Sequence, residues 1–174
     1  MTTLRRFVLV AAALILSVPL LRPAISSALV TRGDALLYAN DARARDKYAL
    51  ALWFDGGNMV AADRYVFSAF LSREPNELAS AVRIARVVLR AFPGNTAVRM
   101  DRALCLQLLR RYAQAERDFE AVGRERNDVQ ALALAASDAR IIGNAAKARR
   151  LLAAAERIDP LYVPVRFALE RGFR

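Results

Sequence analysis

Histidine is absent from this chain, cysteine occurs once and lysine only twice. Without histidine there is no His-based catalytic triad and no His-ligated metal site, and a single thiol closes no internal disulfide. Cys105, flanked by Leu104 and Leu106, reads as a small core residue, because free cysteine behaves as a buried hydrophobe. Seven Gly and six Pro leave long stretches of Ala, Leu and Arg, all strong helix formers. No β-branched alternation between hairpin turns is present, so the fold class is all-α. There is also no Gly-rich phosphate loop, no nucleophile elbow and no carboxylate pair off the solvated helical phases. Neither an enzyme, a cofactor nor a metal site is expected.

Basic side chains are plentiful. The formal net charge is +10, and 25 of the 27 basic residues are Arg. Arg5, Arg6 and Arg22 precede the folded region, which leaves 24 basic against 17 acidic groups in residues 30–174. That excess suits an anionic membrane surface or an acidic partner. Nucleic-acid binding has only the charge in its favour and is not expected, since the apolar N-terminus directs the chain away from the cytoplasm.

That N-terminus runs from Phe7 to Leu21, fifteen residues without a charge, behind Arg5 and Arg6. As helix it reaches roughly 22 Å, short of a hydrocarbon core of about 30 Å. Continued to Ala28 or Val30, with Arg22 snorkelling to the headgroups, it spans. Two readings stand. One is a secretory signal cut near Ser26-Ser27-Ala28. The other, favoured because Arg22 and Pro23 sit awkwardly in a cleavage region, is an uncleaved signal anchor over residues 1–30. The short basic tail would then stay in the cytoplasm and the repeat domain would lie outside it, on the periplasmic side of the inner membrane. No cysteine follows the apolar run, so a lipoprotein anchor is excluded.

Alanine then recurs at intervals of one helical hairpin. Ala44, Ala81, Ala115 and Ala148 are spaced by 37, 34 and 33 residues, and Tyr48, Ala85, Phe119 and Leu152 follow four residues on. The fourth unit also has Gly143, Ala155 and Pro160 in phase, and the second keeps Val88 and Pro93. Gly56 and Asn127 stand at the position of that proline in the first and third units. A period near 34 built from two short helices resembles the tetratricopeptide repeat. The resemblance covers roughly residues 26–162. It implies a right-handed α-solenoid of about four hairpins over residues 31–162, with a capping helix at 163–174 over the last apolar face. First helices are expected at about 28–39, 60–73, 96–109 and 129–142. Arg99 and Arg102 occupy phases where that family has apolar residues. Either the helix is shifted in register or the two arginines face an opening.

Proteins of this family bind other proteins, so the resemblance implies an interaction scaffold, an accessory subunit of a bacterial envelope complex. The alternative is a secreted periplasmic binder of peptide or cell-wall polymer. In the family the first helices line the concave surface. Phased on Ala69, Ala103 and Ala136, that surface would hold Val66, Phe67, Phe70 and Arg73 from the second repeat. Met100, Leu104, Gln107 and Leu108 would follow from the third, and Leu134, Asp138, Ile141 and Ile142 from the fourth. Such a groove would seat a partner helix, although periodicity does not separate its wall from inter-repeat core. Arg73 alone does not build a carboxylate clamp of the kind some family members carry. In the second helices Arg83 and Arg90, Arg117 and Arg124, and Arg150 and Arg157 repeat at the same two phases. They align as a basic ridge for anionic lipid or an acidic partner, unless they are only a solvated face. Trp53, Phe54, Tyr48, Tyr65, Phe67 and Phe70 concentrate near the N-terminal end and read first as core, with interfacial anchoring as the alternative.

Overall fold

The computed structural model describes residues 2–39 and 43–162, with side chains from Leu20 onward; the expected capping helix at 163–174 lies outside them. Eight helices and no strand occur among the described residues. They group into two compact units, Met1–Ser68 and Ala69–Arg174.

In the first unit α1 (Thr2–Tyr38) packs on α2 (Ala44–Phe54), and most of α3 (Met59–Ser72) follows, its last four residues being assigned to the second. The short first helix expected at about 28–39 is in fact the C-terminal end of a continuous 37-residue helix. No Gly or Asn between Leu21 and Arg32 offers a C-cap there. Gly33 is used for packing instead. A Cβ on it would lie 2.5 Å from Cε1 of the fully buried Tyr48. The Tyr48 hydroxyl donates to Asp34 Oδ1 at 2.8 Å, and Arg64 Nε approaches the same oxygen at 3.1 Å. Further along, Ser26 Oγ donates to the Ala51 carbonyl at 2.9 Å and accepts from Asn58 Nδ2 at 2.8 Å. Among the described residues no helix is long and apolar enough to cross a membrane, and the side chains of the run from Phe7 to Pro19 lie outside them.

The second unit holds α4 (Pro75–Ala91), α5 (Thr96–Leu108), α6 (Tyr112–Arg126), α7 (Val129–Ile141) and α8 (Ala145–Ile158), each packed on the next. Gln107 on α5 reaches Asp138 on α7, and Lys147 on α8 reaches Glu116 and Glu120 on α6. First helices therefore neighbour first helices, and second helices neighbour second helices, in two layers. The repeated alanines mark the crossings: Ala44, Ala81, Ala115 and Ala148 are buried, as are Tyr48, Ala85, Phe119 and Leu152 four residues later. Small side chains let the backbones approach, and the bulky ones fill the space beside them. Ala81 is the seventh residue of α4 rather than near its start, because Pro75 at the first turn begins that helix early. Gly123 repeats the close approach of Gly33: a Cβ there would come within 2.6 Å of Leu132 Cγ.

The connections repeat as well. Asn58, Asn95 and Asp128 each accept a backbone N–H three residues on, capping α3, α5 and α7. The turns after α3, α5 and α7 each pass through a left-handed residue: Arg73 at φ 58°, Arg110 at φ 57° and Gly143 at φ 81°. At Arg110 and Gly143 the next N–H reaches back five residues, Arg111 to the Leu106 carbonyl and Asn144 to that of Ala139. Those bonds close Schellman turns.

Candidate functional site

Two of the expected groove residues are buried, and a third forms a turn. Val66 is 0% exposed and belongs to the core. Asp138 is also 0% exposed, its Oδ1 accepting from Gln107 Nε2 at 2.8 Å, so it ties α7 to α5 from within. Arg73 is the left-handed turn residue between α3 and α4, and its φ is fixed by that turn. Phase alone put Val66 and Asp138 in the groove, and packing between helices buries them instead, whereas the Arg73 side chain is exposed. Phe67, Phe70, Met100, Leu104, Gln107 and Leu134 are half-buried. On the open surface of the second unit stand Leu108, Ile142 and Ile141, the last 54% exposed, at the C-terminal ends of α5 and α7.

The six ridge arginines, Arg83, Arg90, Arg117, Arg124, Arg150 and Arg157, are all exposed on α4, α6 and α8. Arg124 Nη2 contacts Glu120 Oε1 at 2.6 Å one turn away, a surface pair of small energetic weight. Arg83 donates to Ser80 Oγ and Arg157 to the Ala153 carbonyl. Trp53 is not core either. It is 75% exposed at the end of α2, edge-on to Phe54 with ring centroids 4.9 Å apart. Tyr48 and Tyr65 of the same aromatic concentration are buried.

The two out-of-place arginines of the third repeat are resolved by carboxylates on α6. Arg99 donates to the Pro93 carbonyl and pairs with Glu125 at 3.3 Å. Arg102 makes a bidentate fork with Asp118, Nε to Oδ2 at 2.7 Å and Nη2 to Oδ1 at 2.6 Å. This pair borders a cavity of about 330 Å³ between α4, α5 and α6, so Arg102 faces an opening. Val82 and Leu106, both buried, form its apolar floor, and Arg86, Gln114 and Arg117 complete the wall. Three guanidinium groups face one carboxylate there. Among the described residues Arg86 and Arg117 make no ion pair and are exposed at the mouth. Sequence reasoning passed over Arg86, Gln114 and Asp118. The available signal was Arg102 itself, a charge on an apolar phase that called for a carboxylate on the facing helix.

Deeper in the unit, Lys147 Nζ sits 2.5 Å from Glu116 Oε1 and 2.7 Å from Glu120 Oε2. Burial works against charge on Glu120, yet Lys147 and Arg124 outweigh it and hold that carboxyl below its ordinary range. Lys147 is held above its ordinary range in the same way, the two carboxylates overcoming desolvation. Asp138 moves the other way. Burial pushes its carboxyl up, the Gln107 bond opposes this and the Glu116 charge adds to it, while Oδ2 has no partner among the described residues. Burial, aided by Asp101, pushes the Cys105 thiol up to about 12, which keeps it from being a reactive thiolate. No group of three or more possible metal ligands occurs among the described residues.

No protein-family model and no curated protein matches the chain. Solved structures do. The chain is similar to MamA, residues 41 to the end, from Desulfovibrio magneticus RS-1, with a TM-score of 0.68 at 12% identity over 79% of this chain and 77% of that one. MamA of strain AMB-1 gives 0.67 at 18% identity, covering 84% and 76%. A tetratricopeptide repeat protein from Parabacteroides merdae gives 0.69 at 14% identity over 83% of this chain and 57% of that one. At such identities the likeness speaks for the backbone alone, and it agrees with the buried alanines: this chain has the fold of a tetratricopeptide-type helical array.

Proposed function

We propose that the protein is a membrane-anchored interaction scaffold, an accessory subunit that stabilises a larger envelope assembly, with its repeat domain outside the cytoplasm and no catalytic activity of its own. The observation that supports this best is the surface of the second unit, where Leu108, Ile141 and Ile142 stand open at the ends of α5 and α7. Contiguous apolar surface in contact with water is where partner proteins dock. The test is co-purification of the full chain from membranes in mild detergent. A stoichiometric protein partner is expected, and a monodisperse monomer with none would count decisively against the scaffold.

The anchored form is favoured over the secreted binder by Ser26. A cut near Ser26-Ser27-Ala28 would strip away a buried side chain that joins α1 to α2 and to the α3 cap. The Ser26–Ala51 bond also places the end of α2, with its exposed Trp53, beside the part of α1 where Leu20, Leu21 and Ile25 are exposed. An aromatic ring at that level suits the membrane–water interface. Intact-mass measurement of the native protein decides between the two: retention of the first 28 residues is expected, and their loss would favour the periplasmic binder.

A further inference from the structure

We propose that the cavity between α4, α5 and α6 receives an acidic segment of a partner protein, its carboxylate held between Arg86 and Arg117 and an adjoining apolar side chain resting on Val82 and Leu106. This rests on the scaffold reading and names the chemistry of one of its contacts.

The charge balance comes first. The Asp118 carboxylate is already engaged through both oxygens by Arg102, so it neutralises one guanidinium and fixes its plane. Arg86 and Arg117 remain uncompensated among the described residues, an excess of two positive charges at the mouth of a concave space. The Arg102–Asp118 fork occupies Nε and one Nη2 hydrogen, and the rest of that guanidinium can still donate, as can the Gln114 side-chain amide. Guanidinium groups match a carboxylate with two parallel N–H donors. A low-dielectric wall concentrates their field at the mouth.

The shape argues for a peptide rather than a bilayer. A volume of about 330 Å³ is at the low end for ligand pockets, enough for one or two side chains. Its floor is buried apolar surface lying beneath the guanidinium groups. A lipid headgroup would meet the outward-pointing ridge without entering, whereas an acidic residue next to an apolar one uses both floor and rim. The site lies against two second helices and one first helix, so it is separate from the open apolar surface of α5 and α7.

The test uses the full chain in detergent and a pooled library of fluorescent decapeptides in which Glu and Asp alternate with Leu, Ile and Phe. Selected peptides should bind with an affinity that falls as salt rises. Binding should weaken at least about tenfold when Glu and Asp become Gln and Asn, and by a similar factor in the Arg86→Ala/Arg117→Ala double variant. Both arginines are exposed, so the variant should keep the wild-type circular dichroism, and Arg83→Ala/Arg150→Ala should bind as the wild type does. A library that yields no binder, equal binding by the amide peptides, or undiminished binding by the double variant would each overturn the proposal. So would charge-dependent binding confined to phosphatidylglycerol vesicles, or full displacement by millimolar inorganic phosphate from a site indifferent to the peptide. The scaffold reading fails separately, when the wild type co-purifies with nothing. If wild type and double variant recover the same partner equally, the scaffold survives and this site does not.

Discussion

Replacing Asp138 by Asn should make the protein more stable, although it removes a member of a buried polar network. Asp138 is fully buried, and one of its oxygens accepts from Gln107 while the other has no partner among the described residues. An orphaned buried acceptor costs about 1–3 kcal/mol. The Glu116 charge adds repulsion. Asn has the same shape, keeps an oxygen for Gln107, and turns the orphan oxygen into a donor in a site that a carboxylate biases toward donors. We expect a gain of about 1 kcal/mol at pH 7, after allowing for the second amide hydrogen. With a urea slope of about 2 kcal/mol per M, the midpoint rises by about 0.5 M. The pH dependence carries the sharper test. Because the folded carboxyl titrates above its unfolded value, the native state binds the proton more tightly. Its favourable contribution is therefore complete below the unfolded pKa and is lost as pH rises through the folded one. The gap between variant and wild type should be widest at pH 7–8 and close toward pH 4. Other carboxylates titrate in both proteins and cancel in the difference. Urea denaturation followed by far-ultraviolet circular dichroism measures both quantities. A midpoint at or below the wild type at pH 7, or a gap that does not close in acid, would refute the reasoning.

Two further expectations follow from backbone geometry. Gly123→Ala should lose about 1–2 kcal/mol, since its Cβ would meet Leu132 Cγ at 2.6 Å and the Leu132 backbone N at 3.1 Å. Gly94→Ala, where the nearest neighbour is the tip of Glu125 at 3.9 Å, should stay within about 0.5 kcal/mol of wild type; equal melting temperatures for the two variants would contradict the packing described. Arg110→Gly should gain about 0.5 kcal/mol, because relief of a left-handed arginine exceeds the entropy a glycine adds to the unfolded chain. A lower melting temperature for that variant would show that the Arg110 side chain contributes more than its backbone strain removes.

The hairpin period was legible because a helix crossing admits only small side chains, and Ala44, Ala81, Ala115 and Ala148 advertise that directly. Two parallel signals are equally present in the sequence. The caps Asn58, Asn95 and Asp128 are spaced by 37 and 33 residues, and so are the left-handed turns Arg73, Arg110 and Gly143. The turns hid because two of the three positions hold arginine where the backbone favours glycine. Val66 and Asp138 were misplaced for a different reason. A first helix offers one stripe to its own hairpin and another to its neighbours, and a single period does not say which stripe stays open. Asp138 falls on the groove phase counted from Ala136, yet it is buried, and Gln107 on another helix makes that burial tolerable. The cavity was the least legible feature. Arg102 and Asp118 are sixteen residues apart on different helices, and only the folded hairpin brings them together.

Helix α6 lies between α5 and α7, carries the carboxylates that hold Lys147 of α8, clasps Arg102 and seats Leu132 against Gly123. Strain applied at the C-terminal end would therefore have to draw Ala148, Leu151 and Leu152 of α8 out of their packing and part Lys147 from its carboxylates before α7, and then α6, came under load. Detachment of α6 would surrender the middle of the stack at a stroke. The second unit should resist traction most at this keystone.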